Sequence, residues 1–113
     1  MFKTLELKIN KIIDQMELMH SNDPDRIDCL DEMVNLLLEN EAETIHLLKE
    51  CKDEKTILYI AALLDRLPAK FPNKKLLNAL ESLIERFADK ETIIFNVKIA
   101  IDELKQELLF NLT

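Results

Sequence analysis

Residues 46–57, His46-Leu47-Leu48-Lys49-Glu50-Cys51-Lys52-Asp53-Glu54-Lys55-Thr56-Ile57, return 36 positions later as Ser82-Leu83-Ile84-Glu85-Arg86-Phe87-Ala88-Asp89-Lys90-Glu91-Thr92-Ile93. Leu, Asp, Thr and Ile are identical at four positions, and Leu48/Ile84 is a conservative pair. Each copy reads as the end of one helix, a polar corner holding an acid suited to cap a helix, and the start of the next helix. Further along, Leu64-Asp65-Arg66-Leu67 matches Ile101-Asp102-Glu103-Leu104 at an offset of 37. An earlier and weaker copy aligns Asp23 with Asp53 and Ile27 with Ile57. Self-similarity at this period over two helices marks an α-solenoid, because neither helix of a pair can bury its apolar stripe alone.

Working outward, the rest of the chain fills in three such pairs. Leu5, Ile9, Ile12, Ile13, Met16 and Met19 keep a helical rhythm over 3–20. Asp23 as cap and Pro24 as first residue open a second helix, carried by Ile27, Leu30, Met33, Val34, Leu37 and Leu38 to a break at Asn40. A third helix runs from about Glu41 to Cys51. A fourth, opened by Asp53 or a neighbour, runs through Ile57, Ile60, Leu64 and Leu67. Pro68 and Pro72 bracket a loop in which Phe71 plugs the gap between the second and third pairs. A fifth helix spans about Asn73–Ala88, and a sixth runs from about Glu91 to Leu109. The expected fold is all-α: about six helices in three antiparallel pairs, a short HEAT-like α-solenoid in a single domain, 1–113. The Trp, Gly and Tyr pattern of a tetratricopeptide unit is missing, whereas Asp65 and Asp102 in the second helices look more HEAT-like. A plain six-helix bundle with accidental similarity is the competing reading.

Composition agrees with helices and excludes several chemistries. The chain has 113 residues, no Gly and three Pro. Tight hairpins and phosphate-cradling loops need φ > 0, which Gly supplies most cheaply. His20 and His46 fall in different elements, His20 at a helix end and His46 on the surface, with no triad or metal spacing and no cofactor motif. The expectation is a protein without catalytic, metal or cofactor residues, and not an enzyme. Cys29 and Cys51 lack a metal or CxxC spacing and read as partly buried free thiols. MFKTLELKINK carries no signal-peptide core and no long apolar span follows, so the expected location is the cytoplasm.

The net charge of −7 is lopsided. Residues 1–56 hold 14 acids against 7 bases, while 57–113 hold 8 of each. Between residues 14 and 48 there are ten acids and a single base, Arg26. Such a surface repels phosphate, which argues against nucleic acid and anionic membrane and in favour of a basic protein partner. Asp28, Asp31, Glu32 and Asn35 fall at i, i+3, i+4 and i+7 on one face of the second helix, opposite Ile27, Leu30, Val34 and Leu37. The repeat offsets make Asn35, Asp65 and Asp102 equivalent, as they do Asp31, Ala61 and Lys98. Together these would line one inner surface with acids. Tyr59, the only tyrosine, sits beside that row as a candidate anchor. Met16, Met19 and Met33 would suit an adaptable groove. The plainer alternative is a solvated acidic face that only keeps the domain soluble.

An acidic chain of this size, its HEAT-like pairs, and the run Thr56–Leu67, Pro68, Phe71-Pro72 and Leu76–Phe87 together resemble the small α-helical immunity proteins of bacterial contact-dependent growth inhibition and other polymorphic toxin systems. The resemblance implies a monomer that binds one cognate toxin domain, often a basic nuclease, and acts as its stoichiometric inhibitor. An adaptor or regulatory subunit built from helical repeats is the alternative from another class.

Overall fold

A computed structural model describes residues 3–112; Met1 and Phe2, part of the stretch read for a signal peptide, lie outside it, as does Thr113. Six α-helices account for most of it: α1 (Lys3–Glu17), α2 (Asp25–Glu39), α3 (Glu41–Glu50), α4 (Glu54–Ala61), α5 (Lys74–Arg86) and α6 (Glu91–Leu112), with a 3-10 turn at Leu64–Arg66. No strand occurs among the described residues. None of these helices is long and apolar enough to cross a membrane.

The helix starts follow from short polar side chains at the corners. Asp23 Oδ1 accepts from the Asp25 amide at 2.9 Å, and Asn40 Oδ1 accepts from the Glu43 amide at 3.1 Å. Asp53 Oδ1 accepts from Lys55 N, and Asn73 Oδ1 accepts from Leu76 N, both at 3.0 Å. Each bond satisfies an amide that the first helical turn leaves without an internal partner.

The helix ends need a different solution. Many helices close on a left-handed Gly, but this chain has none, and no described residue has positive φ. Arginines supply the donors instead. Arg26, in the first turn of α2, donates through Nη1 to Met16 O at 2.6 Å, next to the end of α1. Arg86, in the last turn of α5, donates through Nη1 to Cys51 O at 2.6 Å and through Nη2 to Leu48 O, closing α3. A cation at a helix C-terminus is also favoured by the helix dipole.

The packing follows the repeat across its better-conserved half. α3 lies on α5, α4 and the 3-10 turn lie on α6, and α5 packs on α6. At the offset of 36, Leu47/Leu83, Cys51/Phe87, Ile57/Ile93, Ala61/Val97 and Leu64/Ala100 are all buried. Cys51 and Phe87 even play the same role, each donating its amide to the carbonyl of Leu47 or Leu83. The middle pair is a corner rather than a hairpin, since α3 and α4 make little direct contact. α1 packs on α2, α3 and α4, whereas α2 packs on α1 and α3 but scarcely touches α4. The second helices of the first two pairs therefore stand apart.

Several expectations need correction. The first helix stops at Glu17 rather than His20: Leu18 N and Met19 N bond to Gln15 O and Met16 O, a tightening from i−4 to i−3. His20 sits in the following turn, its Nδ1 accepting from Asn22 N at 3.3 Å, and is not a helix-end residue. His46 is half-buried in α3 rather than on the surface. The fourth helix ends at Ala61 instead of reaching Leu67. Leu63 N already bonds to Ile60 O at 2.8 Å, the same tightening to i−3, and further on Pro68 has no amide to offer Leu64 O, which Leu67 N takes at 3.1 Å. Leu63, Leu64 and Leu67 stay buried regardless. Phe71 is buried in the core, as its place in the proline-bracketed loop suggests.

Candidate functional site

Asp28, Asp31, Glu32 and Asn35 are all exposed on α2. Among the described residues the one ion pair they form is Asp31 Oδ1 to Arg66 Nη1, at 3.8 Å and between exposed groups. The face is broader than a single row. A helix turns about 100° per residue, so Asp31 and Glu32 stand about 100° apart, with Asp28 and Asn35 between them. Asp31 flanks the 3-10 turn through Arg66, whereas Glu32 flanks α1, sharing a shallow hollow with Lys8, Lys11 and Gln15.

Asp65 and Asp102 do not extend that row as equivalents. Asp65 lies in the 3-10 turn and Asp102 in the middle of a continuous helix, so their backbones differ although both are exposed. On α6 the buried side holds Ile93, Val97, Ala100 and Leu104. Asp102 projects from nearly the opposite side, with Lys98 as its neighbour. Sequence spacing could not separate these cases, because a 3-10 turn and an α-helix share the same apolar period over one turn.

The gap between α2 and α4 forms a groove of about 640 Å³. Its apolar lining comes from Met16, Leu30, Leu58, Tyr59 and Ala62, with Thr92 and Asn96 of α6 on the far wall. Its charged lining is Glu17, Arg26 and Lys55. Lys55 Nζ meets Glu17 Oε1 at 2.9 Å in that lining, whereas the Arg66–Asp31 pair lies outside it. Tyr59 is half-buried in this groove, to which α2 contributes Arg26 and Leu30 and none of Asp28, Asp31, Glu32 or Asn35. Of the three methionines singled out for a groove, Met16 lines it, Met33 is fully buried and Met19 is half-buried outside the lining.

The helices that flank the groove also carry exposed apolar side chains. Ile27 was assigned to the core face of the second helix, yet it is 64% exposed, and α2 makes little contact with α4. Leu58 on α4 is 41% exposed and Phe95 on α6 is 67% exposed. Leu30, Leu58, Ala62, Thr92 and Asn96 were not foreseen as a site. The available signal was apolar residues lying off the best-buried arc of their helices, at Ile27, Leu58 and Phe95.

The cysteines are poor nucleophiles. Both are buried and free. Burial pushes the Cys51 thiol up to about 11, with a smaller push from Glu6, against the lowering effect of its hydrogen bond to Asp53 O. Burial also raises Cys29, and the nearby Glu32, Asp25 and Asp28 add to the rise. No described group of three or more His, Cys, Asp or Glu side chains is placed to hold a metal ion. Comparison of the chain with family models, curated proteins and solved structures finds no match.

Proposed function

We propose that this chain is a protein-binding module whose acidic α2 face and adjoining apolar groove engage a basic protein domain. The supporting observation is the juxtaposition itself: an acidic helix face, almost free of internal ion pairs, beside an apolar groove with a half-buried tyrosine. Charge on such a surface accelerates encounter with a basic partner, and desolvated apolar contacts slow its departure. A helix face that served solubility alone would need no neighbouring groove.

More finely, the partner is a toxin domain and the chain is its immunity protein, acting by one-to-one occlusion. This finer reading rests on the resemblance in size, acidity and helical pairing, together with the sign of the α2 charge. Co-expression tests it directly. The immunity reading expects a gene immediately upstream to encode a protein with a toxic C-terminal domain, from which the chain protects cells and with which it co-purifies in equal amounts. Failure to protect, with both proteins present in soluble form, overturns the immunity reading.

A further inference from the structure

We propose that the groove between α2 and α4 is a binding site for a small amphiphilic carboxylate, its head on the Arg26 guanidinium and its apolar tail along Leu30, Leu58 and Ala62. The site goes beyond the protein-binding reading and does not depend on it, since it is read in the chain by itself.

Arg26 supplies the sign. It is the single base set among ten acids between residues 14 and 48, yet among the described residues it forms no ion pair. Its Nη1 donates to Met16 O at 2.6 Å, which ties the half-buried residue to the end of α1. Among the described residues that is its one side-chain hydrogen bond. A guanidinium carries five N–H donors and takes a carboxylate at two points, so one bond leaves donors to spare.

The surrounding charges leave that sign in place. Lys55 and Glu17, the other charged groups of the lining, meet at 2.9 Å and neutralise each other. The groove therefore keeps one net positive charge in a chain of −7. At about 100° per residue, Asp28 lies roughly 160° around α2 from Arg26 and Asp31 roughly 140°. Neither lines the groove. Their repulsion of an anion acts through solvent, where salt screens it, whereas Arg26 acts by direct contact.

The rest of the lining suits a short tail. Met16, Leu30, Leu58 and Ala62 are apolar, and Tyr59, Thr92 and Asn96 add a few polar atoms. The volume of about 640 Å³ falls within the range of about 300–1,000 Å³ that small-molecule sites occupy. Other occupants fit less well. A basic peptide would meet Arg26 with like charge, and a neutral amphiphile would leave the guanidinium without a counter-charge. A nucleic acid strand needs several cations along its path, and here a single one is not already paired.

The probe is octanoate, titrated into the whole protein by calorimetry and by Tyr59 emission. Tyr59 is the only tyrosine and the chain has no tryptophan, so its emission reports on the groove. 1-Octanol and octylammonium keep the tail and change the head, while butanoate keeps the head and shortens the tail. Octanoate should bind saturably with a change in Tyr59 emission, and each of the other three about tenfold more weakly or worse. Arg26→Gln should weaken octanoate by about tenfold and bring it level with octanol. Ala62→Phe, at an exposed position, fills the apolar floor and should weaken octanoate and octanol alike. Circular dichroism checks that each variant is folded; should Arg26→Gln fail to fold, the head-group series on the parent and Ala62→Phe decide. Absence of saturable octanoate binding overturns the proposal, as does octanol binding as tightly as octanoate. Octanoate binding that leaves Tyr59 emission unchanged, or that survives Ala62→Phe, puts the site elsewhere and overturns it too.

Discussion

Arg86 donates through Nη1 to the carbonyl oxygen of Cys51 at 2.6 Å, and so one helical pair closes the end of the helix before it. The same guanidinium reaches Leu48 O and lies 5.6 Å from the centre of the Phe87 ring. In a chain without glycine this contact does the work of a C-cap and joins two successive units. Arg86→Ala should lower unfolding stability by about 1–2 kcal/mol, the scale of lost hydrogen bonds from a charged donor at a partly exposed site. Arg86→Lys should recover only part, since an ammonium cannot span both carbonyls in a fixed fork. Urea denaturation of the three proteins checks the order.

Thr56 and Thr92 are identical in the repeat but should respond differently to the same change. Thr56 is fully buried and donates through Oγ1 to Asn10 Oδ1 at 2.5 Å, tying α4 to α1. Thr92 is exposed on the groove wall. Thr56→Val leaves the Asn10 oxygen without its donor and should cost about 1–2 kcal/mol. Thr92→Val should stay within about 0.5 kcal/mol of the parent. Chemical denaturation of both variants measures the contrast.

Stability should fall in alkaline solution through Cys51. Its thiol titrates at about 11 when folded, against an ordinary value of about 9. The folded state thus binds the proton more tightly. Its stabilising effect is complete below pH 9 and is lost as pH rises through 9 to 11, because the unfolded thiol ionises first. The loss is on the order of 2 kcal/mol, and Cys51→Ala should flatten that part of the pH profile relative to the parent. Thiol alkylation at pH 8 should be slow in the folded protein and accelerate with unfolding.

Much of this architecture was legible in the sequence, and the exceptions have common causes. Asp23 and Asp53 announced helix starts because a capping side chain acts on its own next turn, whereas Asn40, read as the end of the second helix, also caps the start of α3. Arg26 and Arg86 were not legible as helix closures, since each acts on carbonyls 10 to 38 positions away. The missing glycine was the available hint, as helix ends without a left-handed residue must find other donors. Asp28, Asp31, Glu32 and Asn35 were placed on an exposed face by simple periodicity. Asp102 was tied to Asp65 by an alignment that could not register the 3-10 turn. The groove depends on α2 failing to stack on α4, a long-range property that local pattern does not carry.

Association kinetics test the central claim, that the acidic face of α2 guides a basic partner into place. The basic domain proposed as partner should bind the parent protein with a rate that falls steeply as salt is raised. With Asp28→Lys, Asp31→Lys and Glu32→Lys combined, the low-salt association rate should drop by about tenfold or more and lose most of its salt dependence. A triple variant that associates as fast as the parent, with the same salt dependence, would contradict the account.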